Sequence, residues 1–135
     1  LALTNAGLGA VHGFAGPMGG MYDIPHGAVC GILLPHVFRA NINALSERQP
    51  ESDILARFTD IARLLTGNRN ATMEQGADWL AELVDKLNIP GLSTYGIPRE
   101  EFPLIIEKSI KASSMKANPI TLTEPELNQI LENAY

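Results

Sequence analysis

One cysteine, Cys30, is all the thiol this 135-residue chain carries. That excludes an internal disulfide and fits a reducing compartment, the cytoplasm. Positive charge is scarce as well: ten Lys and Arg face fifteen Asp and Glu, a net charge of −5. That sign argues against nucleic acid or an anionic membrane as partner. No uninterrupted apolar run approaches the roughly eighteen residues of a membrane span, and no basic, apolar, small-residue leader opens the chain. Strand-type alternation is almost missing. So are internal repeats, low-complexity tracts and any linker long enough to separate domains. The chain opens on Leu1 rather than Met, which reads as a piece of a longer product.

An apolar fraction of 45% and a near-zero mean hydropathy suit a soluble globular protein. Residues 1–135 are enough for one domain with a real core, and its periodicity is helical. Leu8, Val11, Ala15 and Met18 form the stripe of a first helix, expected to break at Gly19-Gly20. Pro25 suits the first turn of a second, whose face is Val29, Ile32, Leu33, Val37, Ala40 and Ala44, with a kink expected at Pro35. Ser52 and Gly67 bracket a third helix on Leu55, Phe58, Ile61, Ala62 and Leu65. Thr72 and Gln75 form a capping box ahead of Trp79, Leu80, Leu83, Val84 and Leu87, stopped by Pro90. Leu92 to Ile97 reads as a loop. Glu100 and Glu101 then suit the positive start of a helix carrying Phe102, Ile105, Ile106, Ser109 and Ile110. A second capping box, Thr123 and Glu126, leads into Leu127, Ile130, Leu131 and Ala134. The expected fold is all-α, an orthogonal bundle of about six helices.

His12 and His26 stand fourteen residues apart in a glycine-rich stretch, Gly9-Ala10-Val11-His12-Gly13-Phe14-Ala15-Gly16 through Pro25-His26-Gly27. Neutral imidazole is the commonest metal ligand, and glycine beside a ligand lets backbone and a bound molecule approach closely. Two histidines do not close a site. A divalent ion takes about four to six donors, so others must come from elsewhere. Gly7-Leu8-Gly9 followed by Gly13 hints at a dinucleotide fingerprint. That motif needs a strand before it and an acidic residue about twenty positions on. Leu1 to Ala6 is a poor strand and Asp23 comes too soon, so the phosphate-cradle reading is rejected. Cys30 lies in an apolar run and reads as a small core residue rather than a nucleophile. His36 reads as a packed histidine bonded to backbone.

The run from Asn5 to Asn43 resembles the signature of the iron-containing (group III) alcohol dehydrogenases: Gly-x-x-His, a glycine-rich turn, Pro-His-Gly, then Leu-Pro. His12, Pro25, His26, Gly27, Leu34 and Pro35 all match that pattern. Asn118-Pro119 is a weaker echo of the family's Asn-Pro loop before its last helix. The resemblance implies the helical C-terminal domain of the dehydroquinate synthase-like fold, with His12 and His26 as metal ligands. It implies a divalent metal, Fe2+ or Zn2+, polarising a substrate oxygen while hydride passes between an alcohol or aldehyde and NAD or NADP. No catalytic side chain is assigned within the chain. Related helical-domain enzymes such as glycerol dehydrogenase are possible parents too, although Pro25-His26-Gly27 and Leu34-Pro35 favour the iron-containing group.

The departures are informative. The family's other two ligands lie in an upstream Asp-x-x-x-His segment, and no Asp-x-x-x-His occurs in this chain. The preceding nucleotide-binding domain is a further expected partner, and a homo-oligomer is expected. Where many members carry another histidine, four residues after the first, this chain has Gly16. Proton transfer is then left to water, the nucleotide ribose or a residue outside the chain. The rival reading is a freestanding helical interaction module that keeps the motif without catalysis. The metal reading expects the two rings to converge, with nitrogens roughly 3–4 Å apart.

Overall fold

The computed structural model describes residues 8–135; the segment 1–6, read as a poor strand, and Gly7 lie outside the described residues. Seven α-helices follow: α1 Gly9–Met21, α2 His26–Arg48, α3 Asp53–Thr66, α4 Met73–Lys86, α5 Phe102–Ile110, α6 Ser113–Lys116 and α7 Glu124–Ala134. Single 3-10 turns sit at Leu92–Tyr95 and Arg99–Glu101. Among the described residues there is no strand. The fold is an all-α bundle, and among the described residues the helix beyond the expected six is the single turn α6.

α2 is the spine. It packs against α1, α3, α4 and α7, while α1 also meets α5 and α6. Val29, Ile32, Leu33, Val37, Phe38, Ile42, Ala44 and Leu45 bury one long face of α2 in the common core. The helix runs on through Pro35, which is itself buried. By length and composition α2 is apolar enough to cross a membrane, with a mean hydropathy of 1.3 over an 18-residue window. No single apolar run in the sequence is that long. Short apolar runs separated by Gly, Pro, His and Asn add up to the high mean, and 56% of the window is buried inside the fold. It is the core helix of the bundle.

The caps follow the sequence closely. Ser52 Oγ accepts from the Ile54 N–H, and Gly67 closes α3 at φ 68°, a left-handed position suited to glycine. Both capping boxes, Thr72 with Gln75 and Thr123 with Glu126, are formed in both directions. Three expectations need correction. α1 does not break at Gly19-Gly20 but continues to Met21, where the Tyr22 N–H closes it onto the Met18 carbonyl. Leu83 and Leu87, expected on the buried face of α4, are exposed. There α3 approaches over Gly76 instead, so closely that a Cβ on it would lie 2.6 Å from Ala62 Cβ. The stretch Leu92–Ile97 is not a free loop. Its 3-10 turn is anchored by the fully buried Leu92 and Ile97 and by Tyr135, whose hydroxyl donates to the Ile97 carbonyl at 2.7 Å.

Candidate metal centre

α1 has no side-chain N-cap, because Leu8 precedes it. Its Ala10 N–H is taken instead by Asn118 Oδ1 at 3.2 Å. The same amide is doubly bonded to the buried Asn41 of α2, accepting at 3.1 Å and donating at 2.7 Å, and it also donates to the Ile120 carbonyl at 2.8 Å. One asparagine thus joins the start of α1 to the middle of α2. Gly9 makes the approach possible: a Cβ there would lie 2.4 Å from the Ser114 carbonyl oxygen and 2.6 Å from the Asn118 nitrogen. Val11, Phe14, Ala15 and Met18 then bury the inner side of α1. His12 is left half-buried at the edge of that stripe.

The link from α1 to α2 is short and pinned. Ile24 is buried, and the Tyr22 hydroxyl donates to the Glu101 carboxylate. Burial and that bond push the Tyr22 phenol well above its ordinary range. Pro25 ends up just outside α2 rather than in its first turn. Its extended backbone caps the helix, and its carbonyl accepts from the Ala28 and Val29 N–H groups. His26 is therefore the first residue of α2, exposed at the helix end.

This arrangement brings the two histidines face to face. Their ring centroids are 5.6 Å apart with planes 19° from parallel. Cys30 comes in one turn beyond His26. One ligand atom from each of His12, His26 and Cys30 lies within 4.8 Å of the other two. Cys30 is half-buried and packs on the core, as a small apolar residue would, and burial pushes its thiol up from its ordinary value. The sequence reading missed its place in the cluster. The available signal was spacing, since residues i and i+4 share one helix face. His36 is in a different place, about 15 Å further along α2 at 1.5 Å per residue. It is outside the cluster.

The donor set fits a divalent ion. Two imidazoles and a thiol are borderline-to-soft ligands suited to Zn2+, Fe2+ or Co2+. At several glycines near the histidines in sequence the backbone is bare. A Cβ at Gly16, Gly19, Gly20 or Gly27 would meet nothing within 4 Å, so a bound molecule can reach the helix surface there.

All 135 residues match the model of the Fe-containing alcohol dehydrogenase family, C-terminal. The chain belongs to that family. It is 34% identical over its whole length to 1,3-propanediol dehydrogenase of Citrobacter freundii, covering 34% of that protein. It is 35% identical over 99% of its length to alcohol dehydrogenase 4 of Schizosaccharomyces pombe, covering 30% of it. Among solved structures, 1,3-propanediol oxidoreductase superposes on 93% of the chain with a TM-score of 0.78 and 32% identity, over 32% of that structure. An alcohol dehydrogenase from Oenococcus oeni gives a TM-score of 0.76 at 29% identity. The chain spans about a third of the length of the relatives it matches.

Proposed function

We propose that this chain is the metal-holding helical portion of an NAD(P)-dependent alcohol dehydrogenase, moving hydride between an alcohol and an aldehyde. The observation that carries the reading is the facing pair His12 and His26, in a chain whose full length matches the family. A divalent ion, when bound, supplies Lewis acidity toward the substrate oxygen. The two histidines would hold that ion, each as neutral imidazole. α1 and α2 keep them in register through the Asn118 amide, the buried Ile24 and the capped start of α2. The bare glycine surface leaves space for substrate and nicotinamide. Gly16 has no side chain to carry a proton, so proton exchange with the substrate passes through water, the nucleotide ribose or a group outside the chain.

The remaining features of the reading belong to the longer protein. A nucleotide-binding domain and an Asp-x-x-x-His segment would come before Leu1, and the protein would work in the cytoplasm as a homo-oligomer. Relatives carry the names 1,3-propanediol dehydrogenase, lactaldehyde reductase and NADPH-dependent butanol dehydrogenase, which points to small primary alcohols and diols. The test is an assay of the parent protein on a panel of those alcohols with NAD+ and with NADP+. Activity lost on chelation, restored by metal and abolished by His12→Ala is the expected result. A parent still active as His12→Ala would sink the proposal.

A further inference from the structure

The family pattern assigns Cys30 no task, yet its sulfur lies with the two histidines. We propose that Cys30 is a third donor, so that His12, His26 and Cys30 hold a divalent ion as a two-nitrogen, one-sulfur site that favours thiophilic ions. The proposal rests on the histidine reading above and adds a donor to it.

Three observations lead there. The first is spacing. His26 opens α2 and Cys30 follows at i+4, so the two side chains rise from one face of one helix. His12 reaches the same point from the facing helix α1. The second is distance. A tetrahedral ion with nitrogens at about 2.0–2.1 Å and sulfur at about 2.3 Å spaces its donors roughly 3.3–3.6 Å apart. The three ligand atoms already lie within 4.8 Å of one another. Closing the gap needs about 1 Å of movement, within reach of small side-chain rotations.

The third is burial. His12 and Cys30 are half-buried while His26 is exposed. An ion can enter past the exposed His26, and donors from elsewhere can complete the positions that these three leave open. As the metal–sulfur bond forms, the thiol S–H bond breaks and its proton goes to solvent, with no oxidant required. A thiolate shifts preference toward Zn2+ and Co2+ and away from harder ions.

Co2+ is the probe, because it reports its ligands optically. The reduced 135-residue chain is titrated with Co2+, alongside Cys30→Ser, Cys30→Ala, His12→Ala and His26→Ala, with helix content checked by circular dichroism. The expected result for the unsubstituted chain is a sulfur-to-cobalt charge-transfer band in the near ultraviolet, bleached by Zn2+. Both Cys30 variants should lose that band and weaken Zn2+ by at least about tenfold, since even outer-shell losses cost that much. Co2+ bound without the band, with Cys30→Ser equal to the parent chain, removes Cys30 as a donor and leaves the histidine reading standing. His12→Ala and His26→Ala binding as tightly as the unsubstituted chain overturns both. A chain that takes up no Co2+ at all also overturns the three-donor site.

Discussion

His36 sits on α2 between two surface hollows lined by Glu126 and Asp85 respectively. Burial first, and the nearby Arg39 charge second, hold its imidazole below the ordinary 6.5. It is therefore neutral in the fold where the unfolded chain would already take a proton. Since the unfolded state binds more protons in that window, stability is fully present above about pH 6.5 and declines as the pH falls through it. His36→Gln should flatten the stability profile there, measured by urea midpoints across that range; an unchanged slope would show that the fold accepts the charge. Glu126 gives a separate, more acid window. Burial pushes it up, but the Arg48 and Thr123 bonds outweigh that and hold it below the usual carboxylate value. Asn118 is the other decisive residue. Asn118→Ala removes its bonds to Ala10, Asn41 and Ile120 and should cost about 1–3 kcal/mol. Denaturant unfolding reads that cost directly.

Among the helices, what the sequence disclosed depended on whether the deciding partners were local. Thr72, Gln75, Thr123, Glu126, Ser52 and Gly67 act within three or four residues, so their caps could be read before the fold was known. Gly19 and Gly20 misled because helix breaking is a local preference worth only about 1 kcal/mol per glycine. The buried Met18 and the Tyr22 closure outweigh it. α6 carried no periodicity to find; it is one turn pressed against α1 by packing. Leu83 and Leu87 fit a helical stripe, but Gly76 decided which side α3 covers. At the site, the histidines were legible from motif and spacing, whereas Cys30 needed the facing helix to show its company. The glycines of α1 give a paired prediction. Gly9→Ala drives a Cβ into backbone at 2.4 Å and should cost about 1–3 kcal/mol through overpacking. Gly16→Ala meets nothing and should stabilise the metal-free chain by up to about 1 kcal/mol. Thermal melts of both variants check the opposite signs.

At the scale of the whole molecule, the question is what these helices accomplish alone. They form one core around α2, and His12 stands at its edge rather than in it. His12→Ala should therefore shift the metal-free stability by no more than about 1 kcal/mol. The sequence contains no Asp-x-x-x-His, and Asp23 follows Gly7 and Gly9 too soon to be the acidic residue of a dinucleotide fingerprint. It can offer donors to an ion, while on the proposed reading the nicotinamide is positioned by a preceding nucleotide-binding domain. The 135-residue chain should accordingly turn over no alcohol with NAD+ or NADP+, with or without added Fe2+ or Zn2+. Turnover above background that vanishes in His12→Ala would mean the helical bundle is an enzyme by itself. Saturating Zn2+ should still raise its melting point. Ligand present at about a hundred times its dissociation constant adds about 2.7 kcal/mol to the folded state. Binding without catalysis is the combination expected of a metal-holding domain, and a calorimetric melt beside the same activity assay separates it from both alternatives.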